Sequence, residues 1–280
     1  MCRLAWAGDP RVKPRSQASL AITGHDPEAA DAAFVLVNAS PDLRQQILAT
    51  RALQPRALRD SPIAAVVLTG AEVDQTAGLL TLRERGPFTL YATEATLGIL
   101  AANAMFDVLA PDVVSRSPVR AGERFALPGG LAAELFLVPG KAPLYLEGDA
   151  PALAAETEAN VGLEIASGDK RLLFIPGAAK LTPAINARLR DADVVLFDGT
   201  LYSDDEMIIA GAGTKTGRRM GHMPVGGPDG TLAMLAGLAR RRILIHVNNT
   251  NPILIEGSAE RRAVEAAGFE VAEDGMRIAL

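Results

Sequence analysis

The chain holds only three histidines, so each can be weighed for chemistry. His246 ends the apolar run Ile243-Leu244-Ile245 and is followed by Val247, Asn248, Asn249, Thr250, Asn251 and Pro252. A hydrophobic strand that delivers an imidazole and then a cluster of amides puts polar groups where strand ends meet loops, a common place for a site. The plainer reading is a strand-end histidine tied down by neighbouring asparagines. Asp198 ends a second apolar run, Val194-Val195-Leu196-Phe197, and precedes Gly199-Thr200. An Asp-Gly after a buried strand suits a metal or a phosphate, and equally a simple turn. Asp74 follows the run 66–69 by a short loop and opens a helical pattern, where a carboxylate is an ordinary N-cap. Two acidic strand ends and a histidine strand end begin a metal constellation, because hard cations and Fe(II) take carboxylate and imidazole together.

His222 closes a glycine-rich stretch, 211–222, that also holds Lys215, Arg218 and Arg219. The backbone N–H groups of such a loop can cradle a carboxylate or phosphate; a flexible solvated loop is equally compatible with the residues. It is not a P-loop, because the Lys-Thr pair is misplaced and no strand runs straight into it. His25, between Gly24 and Asp26-Pro27, reads as an exposed turn residue.

Elements must hold these groups. Apolar runs of strand length recur at 19–22, 34–37, 64–68, 89–91, 131–138, 161–165, 171–175, 194–197, 243–245, 269–272 and 276–279. β-Branched residues and flanking Gly, Pro, Asp or Asn favour strands there. Helical patterns lie at 41–50, 75–85, 94–104, 181–190, 204–209, 231–240 and 259–267, the first with Ser40 as N-cap and Pro41 at the first helical position. Residues 166–170 join two runs as a hairpin. The order predicts two mostly antiparallel sheets with helices on their outer faces, in one domain spanning 1–280. The least periodic stretch, 140–158, reads as a surface excursion.

Composition narrows the function. A net charge of −5 and 4% aromatic residues give neither a broad positive field nor a stacking surface, so nucleic acid is not an expected partner. The apolar runs fall far short of the ~20 residues that cross a bilayer, so no membrane partner is expected either. One cysteine cannot form an internal disulfide, which fits a reducing, cytoplasmic setting.

The stretches 36–44, 77–84, 197–200, 213–217 and 220–222, and above all the string from His246 to Pro252, resemble the pyrroloquinoline quinone (PQQ) biosynthesis protein B family. The resemblance runs over residues 2–280. That family is in turn similar to the metallo-β-lactamase superfamily, which implies an α/β fold: an αββα sandwich of two mixed sheets, with a metal site at one sheet edge. In the superfamily a His-x-His-x-Asp-His loop follows an early strand, and a later Asp and His complete the site. Asp74 falls on the Asp of that loop, Gln75 on its last His, Asp198 on the later Asp and His246 on the final His. The two leading histidines are replaced within Gly70-Ala71-Glu72-Val73. An amide oxygen is a poor ligand for Zn²⁺ or Fe²⁺ beside imidazole, which argues against a dizinc, lactonase-type hydrolase.

The resemblance implies one metal, Fe(II) or alternatively Zn²⁺, among Asp74, Gln75, Asp198, His222 and His246. It implies hydroxylation of the tyrosine ring in a cross-linked Glu-Tyr precursor of PQQ, with His222, His246 and Asp198 at the reacting centre. Asn38, Lys215, Arg218, Asn248 and Asn249 are then the expected substrate contacts. The alternative is a soluble carrier of PQQ or its precursor. Other PQQ-biosynthesis proteins and a second copy of the chain are the expected protein partners. Family members also open with a strand, a glycine-rich loop and a Cys-x-Cys-x-x-Cys zinc cluster, of which Cys2 matches the last cysteine. A lone thiolate cannot hold a tetrahedral zinc within one chain, so no structural zinc is expected. The expected start codon lies upstream by roughly one strand and one loop, and without that strand its sheet partner would be an unpaired edge.

Overall fold

The computed structural model describes residues 1–148 and 153–280. The first sheet runs in the order β1 (Leu20–Ile22), β2 (Phe34–Val37), β3 (Ile63–Val67), β4 (Phe88–Ala92) and β5 (Val114–Pro118). The second contains β6 (Arg124–Leu127), β7 (Leu131–Gly140), β8 (Ala155–Ser167), β9 (Lys170–Ile175), β10 (Val194–Asp198), β11 (Arg241–Ile245) and β12 (Phe269–Val271), ordered β12-β11-β10-β9-β8-β7-β6.

Pairing departs from the antiparallel expectation. β2 to β5 are mutually parallel, as are β9 to β12; the antiparallel pairs are β1–β2 and the run β6–β7–β8–β9. Parallel neighbours need a crossover, and helical segments supply it, as Pro183–Asp191 does between β9 and β10. The 166–170 hairpin forms, with Ser167 opposite Lys170 and Gly168 at φ 59°.

The central strands of both sheets, β2 and β3 in the first and β10 in the second among them, are buried on both faces, with period two sorting side chains between layers. Val35, Val37, Ala65 and Val67 pack between the sheets against Leu135, Leu163, Phe174, Leu196 and Ile243. Leu36, Val66 and Leu90 turn outward to Leu43, Leu79 and Leu100. On the opposite side Val195, Phe197 and Leu244 pack with Ile185, Leu189 and Val264. These three layers of core make the αββα sandwich.

Several expected elements shift. β5 and β6 arise from Val-Ser-Arg-Ser-Pro and Arg-Phe-Ala-Leu, too polar or too short to stand out. Residues 276–280 form no strand, although Met276 and Ile278 pack on the inter-sheet core. The helix expected from Pro41 runs over Leu43–Ala49, two residues later, because Ser40 Oγ donates to Gln46 Oε1 instead of capping the backbone. The 75–85 pattern becomes one α-turn, Val73–Thr76, and a 3₁₀ run, Ala77–Leu82. Within 140–158, residues 149–152 lie outside the described residues, and β8 begins at Ala155.

Candidate metal centre

The C-terminal ends of β3, β10 and β11 converge at one edge of the sandwich. Val161 N donates to Thr69 O at 3.0 Å, and Gly70 bridges to Asn160, so the loop after β3 is stitched to the second sheet. β10 ends in Asp198, which is fully buried. A carboxylate there must be satisfied internally, and it is. Its Oδ2 accepts from Ala178 N at 2.9 Å, and its Oδ1 accepts from Thr200 N at 3.0 Å and Thr200 Oγ1 at 2.6 Å. Burial works to raise its pKa, but the charge and hydrogen bond of His222 hold the group below the usual carboxylate range.

His222 Nδ1 lies 2.8 Å from Asp198 Oδ2. The turn that delivers it explains the glycines before it. The helix Gly217–Met220 ends at Gly221, φ 88°, with His222 N donating to Gly217 O and Gly221 N to Arg218 O. This is a Schellman stop, and its left-handed residue is a glycine. The N-terminal N–H groups of that helix are not an open cradle: Gly217 N donates to Asp204 O, and Arg218 N to Asp204 Oδ1 at 2.8 Å.

His246, just past β11, holds φ 58°, an uncommon conformation outside glycine. Both ring nitrogens are engaged, Nε2 with Asp74 Oδ2 at 2.8 Å and Nδ1 with Thr200 Oγ1 at 2.8 Å. Burial lowers its pKa, yet Asp74, then Asp198, raise it above the ordinary histidine value overall. Asp74 is the counterpart: burial raises it, and the His246 hydrogen bond and charge bring it below its ordinary value. The two imidazoles stack, centroids 5.5 Å apart and 22° between planes.

One ligand atom from each of Asp198, His222 and His246 lies within 4.8 Å of the others. Two imidazoles and one carboxylate fit a divalent first-row metal, Fe(II) or Zn²⁺ among them. Asp74 reaches this group through His246. Gln75 does not reach it: its Oε1 accepts from Glu72 N at 3.2 Å at the start of the helix Val73–Thr76. Gly70 leaves the room, since a Cβ there would stand 2.6 Å from that oxygen.

The expected substrate contacts divide. Asn38, buried at φ 58°, is spent on Thr69: its Oδ1 accepts from Thr69 N and its Nδ2 donates to Thr69 Oγ1, both at 2.9 Å. Asn248 Nδ2 donates to Thr250 Oγ1 at 3.0 Å, whereas Asn249 is exposed. Lys215 Nζ is 3.2 Å from Glu147 Oε2, and Arg218 is exposed. Cys2 is a free, exposed thiol.

Residues outside the sequence reading complete the centre. Thr200 Oγ1 lies within 3.1 Å of Asp198 Oδ1, both histidine Nδ1 atoms and His246 O. Asn251, fully buried, donates to Gly199 O at 2.9 Å and so ties the loop after β11 to the loop after β10. Asparagine repetition in 248–251 was the available signal for Asn251; Thr200 had only its place after Asp-Gly. The isosteric Thr200→Val should leave the fold intact but weaken metal binding about 10–100-fold, the usual cost of losing a group that orients ligands. Unchanged affinity in a metal titration would remove Thr200 from that role.

The chain matches the Beta-lactamase superfamily domain over residues 34–247. It is 56% identical over 281 residues to the coenzyme PQQ synthesis protein B of Methylobacterium sp. (strain 4-46), covering 100% of this chain and 92% of that protein. The protein of the same name from Methylobacterium nodulans is 54% identical, with 100% and 93% covered. A crystal structure of Zn²⁺-bound PqqB from Methylobacterium extorquens superposes with TM-score 0.96 at 52% identity, covering 100% of this chain and 92% of that one.

Proposed function

The chain belongs to the coenzyme PQQ synthesis protein B family, within the β-lactamase superfamily, and from that membership we propose a metal-dependent hydroxylase of PQQ biosynthesis. Its substrate in this reading is the cross-linked Glu-Tyr precursor, and the position oxidised is the tyrosine ring. The observation that carries the reading is the grouping of Asp198, His222 and His246, two imidazoles with a single carboxylate. That donor set is the type used by non-haem iron oxygenases, with positions left open for O₂ and substrate. The loop after β3 offers Gly70-Ala71-Glu72-Val73 and a Gln75 turned to its own helix start, which speaks against a second hydrolytic metal.

Fe(II), when bound, supplies the activation of O₂. The chain's own residues do the rest. Asp198 holds a buried negative charge against His222, and Asp74 fixes the His246 ring from the other side. Thr200 links the two histidines through one hydroxyl. The precursor's carboxylates call for cationic donors, and the 213–222 loop presents Lys215 and Arg218. In the balanced reaction one atom of O₂ enters the ring as hydroxyl, and the other leaves as water with two electrons from an external reductant.

The test is anaerobic Fe(II) loading and desalting, followed by oxygen uptake with a cross-linked Glu-Tyr peptide and a reductant. About one retained iron per chain is expected, with uptake matched by one oxygen atom gained on the ring. Iron retention without uptake, together with PQQ binding that survives metal removal, would replace the enzyme by a carrier.

A further inference from the structure

Three cations converge on one carboxylate beside the metal centre. Lys141 Nζ lies 2.6 Å from Glu147 Oε1, and Lys215 Nζ and Arg219 Nη1 lie 3.2 and 3.3 Å from Glu147 Oε2. The Glu147 side chain is only 7% exposed and that of Lys141 11%, so this is not an ordinary surface pair. The cations hold the Glu147 carboxyl at about 2, Lys141 contributing most. Lys141 also reaches Glu72 Oε1 at 3.3 Å, so that among the described residues the cluster sets three cations against two carboxylates.

The cluster abuts the centre from two sides. Arg219 precedes His222 by one short turn, and Glu72 opens the helix that carries Asp74. Lys141 packs on Gly221, where an added Cβ would stand 3.3 Å from its Cγ.

Glu147 arrives there on a segment with little core of its own. Leu144, Tyr145 and Leu146 are 59%, 48% and 50% exposed. The segment is tied instead by Leu144 N to Glu72 Oε1 at 3.0 Å, by Tyr145 OH to Ala71 O at 2.7 Å, and by Glu147 itself. Few buried apolar contacts and a few polar ties describe an element of low local stability.

We propose that Lys141, Lys215 and Arg219 form a carboxylate subsite beside the metal centre, and that Glu147 occupies it as an internal competitor which a polycarboxylate ligand displaces. The subsite stands on its own geometry; only the identity of the ligand, PQQ or its precursor, rests on the proposed function. A tethered carboxylate competes at a high effective concentration, so removing it strengthens binding of an external one.

The experiment titrates the full metal-loaded chain calorimetrically with PQQ and, separately, with benzene-1,3,5-tricarboxylate, which has no pathway role and whose meta carboxylates chelate poorly. Glu147→Gln should bind both probes about tenfold tighter or more, and Lys215→Ala, at a partly exposed position, should bind both more weakly. Glu147→Gln with affinity unchanged or reduced would overturn the proposal, because a merely neutralising carboxylate gives that result. Should Glu147→Gln fail to fold, unchanged affinity in Lys215→Ala is the overturning result. Tighter binding of the benzene tricarboxylate alone would keep the subsite and reject PQQ as its ligand. A change for neither probe would reject the subsite and leave the hydroxylase reading to its own test.

Discussion

Asp198→Ala should abolish metal retention, dropping a loaded chain from about one ion to less than a tenth of one after desalting. Asp198 is the sole carboxylate among the three grouped residues, and it is fully buried. Without it, two imidazoles remain, already held by Asp74 and Thr200. The replacement also strips acceptors from Ala178 N, Thr200 N and Thr200 Oγ1. Each buried donor left unpaired costs about 1–3 kcal/mol, so the variant loses stability as well as metal. Asp198→Asn separates the two effects. It keeps an acceptor for Thr200 and most of the shape but removes the charge, so stability should largely return while metal does not. Elemental analysis beside calorimetric unfolding reads both quantities. Full metal content in Asp198→Ala would place the centre on other residues.

The legible part of this site is the part that local chain order dictates. Asp198 and His246 stood out because a buried run that stops on a polar residue marks a strand end, and β10 and β11 are parallel neighbours whose ends coincide. Parallel pairing itself was not legible. A doubly buried strand looks the same whichever way its neighbour runs, and the crossover decides. Gln75 was legible as a departure from the superfamily loop, but its work at the start of Val73–Thr76 was written in the Glu72-x-x-Gln75 spacing. Lys141 and Glu147 gave no signal. Their stretch has no periodicity, and their partners Glu72, Lys215 and Arg219 lie 68 to 72 positions away along the chain. Contacts of that kind are made by the tertiary fold, not by any local preference.

One substitution, placed at two glycines, shows how the backbone itself holds the loop bearing Asp74. At Gly78 a Cβ would stand 2.1 Å from Ser40 O and 2.8 Å from Ala39 C. The approach is locked by Gly78 N donating to Ala39 O at 2.9 Å and Ala39 N to Gln75 O at 2.7 Å. No side-chain rotation relieves a clash with backbone, so Gly78→Ala must push the 73–82 run off the 38–40 turn. The expected loss is about 3 kcal/mol, a fall in Tm of roughly 6–12 °C for a chain of this size. Gly98 lies on the exposed side of Glu94–Ala101 with nothing within 4 Å of an added Cβ. There alanine should stabilise by about 0.5–1 kcal/mol, because it restricts the unfolded chain and favours the helix. Denaturant midpoints of the two variants should therefore move in opposite directions. Metal affinity adds a second readout: it should fall in Gly78→Ala, where Asp74 is carried away from His246, and hold in Gly98→Ala. A Gly78→Ala chain with native midpoint and native affinity would mean that the 38–40 turn does not position Asp74, and that the partnership with His246 is set by the side chains alone.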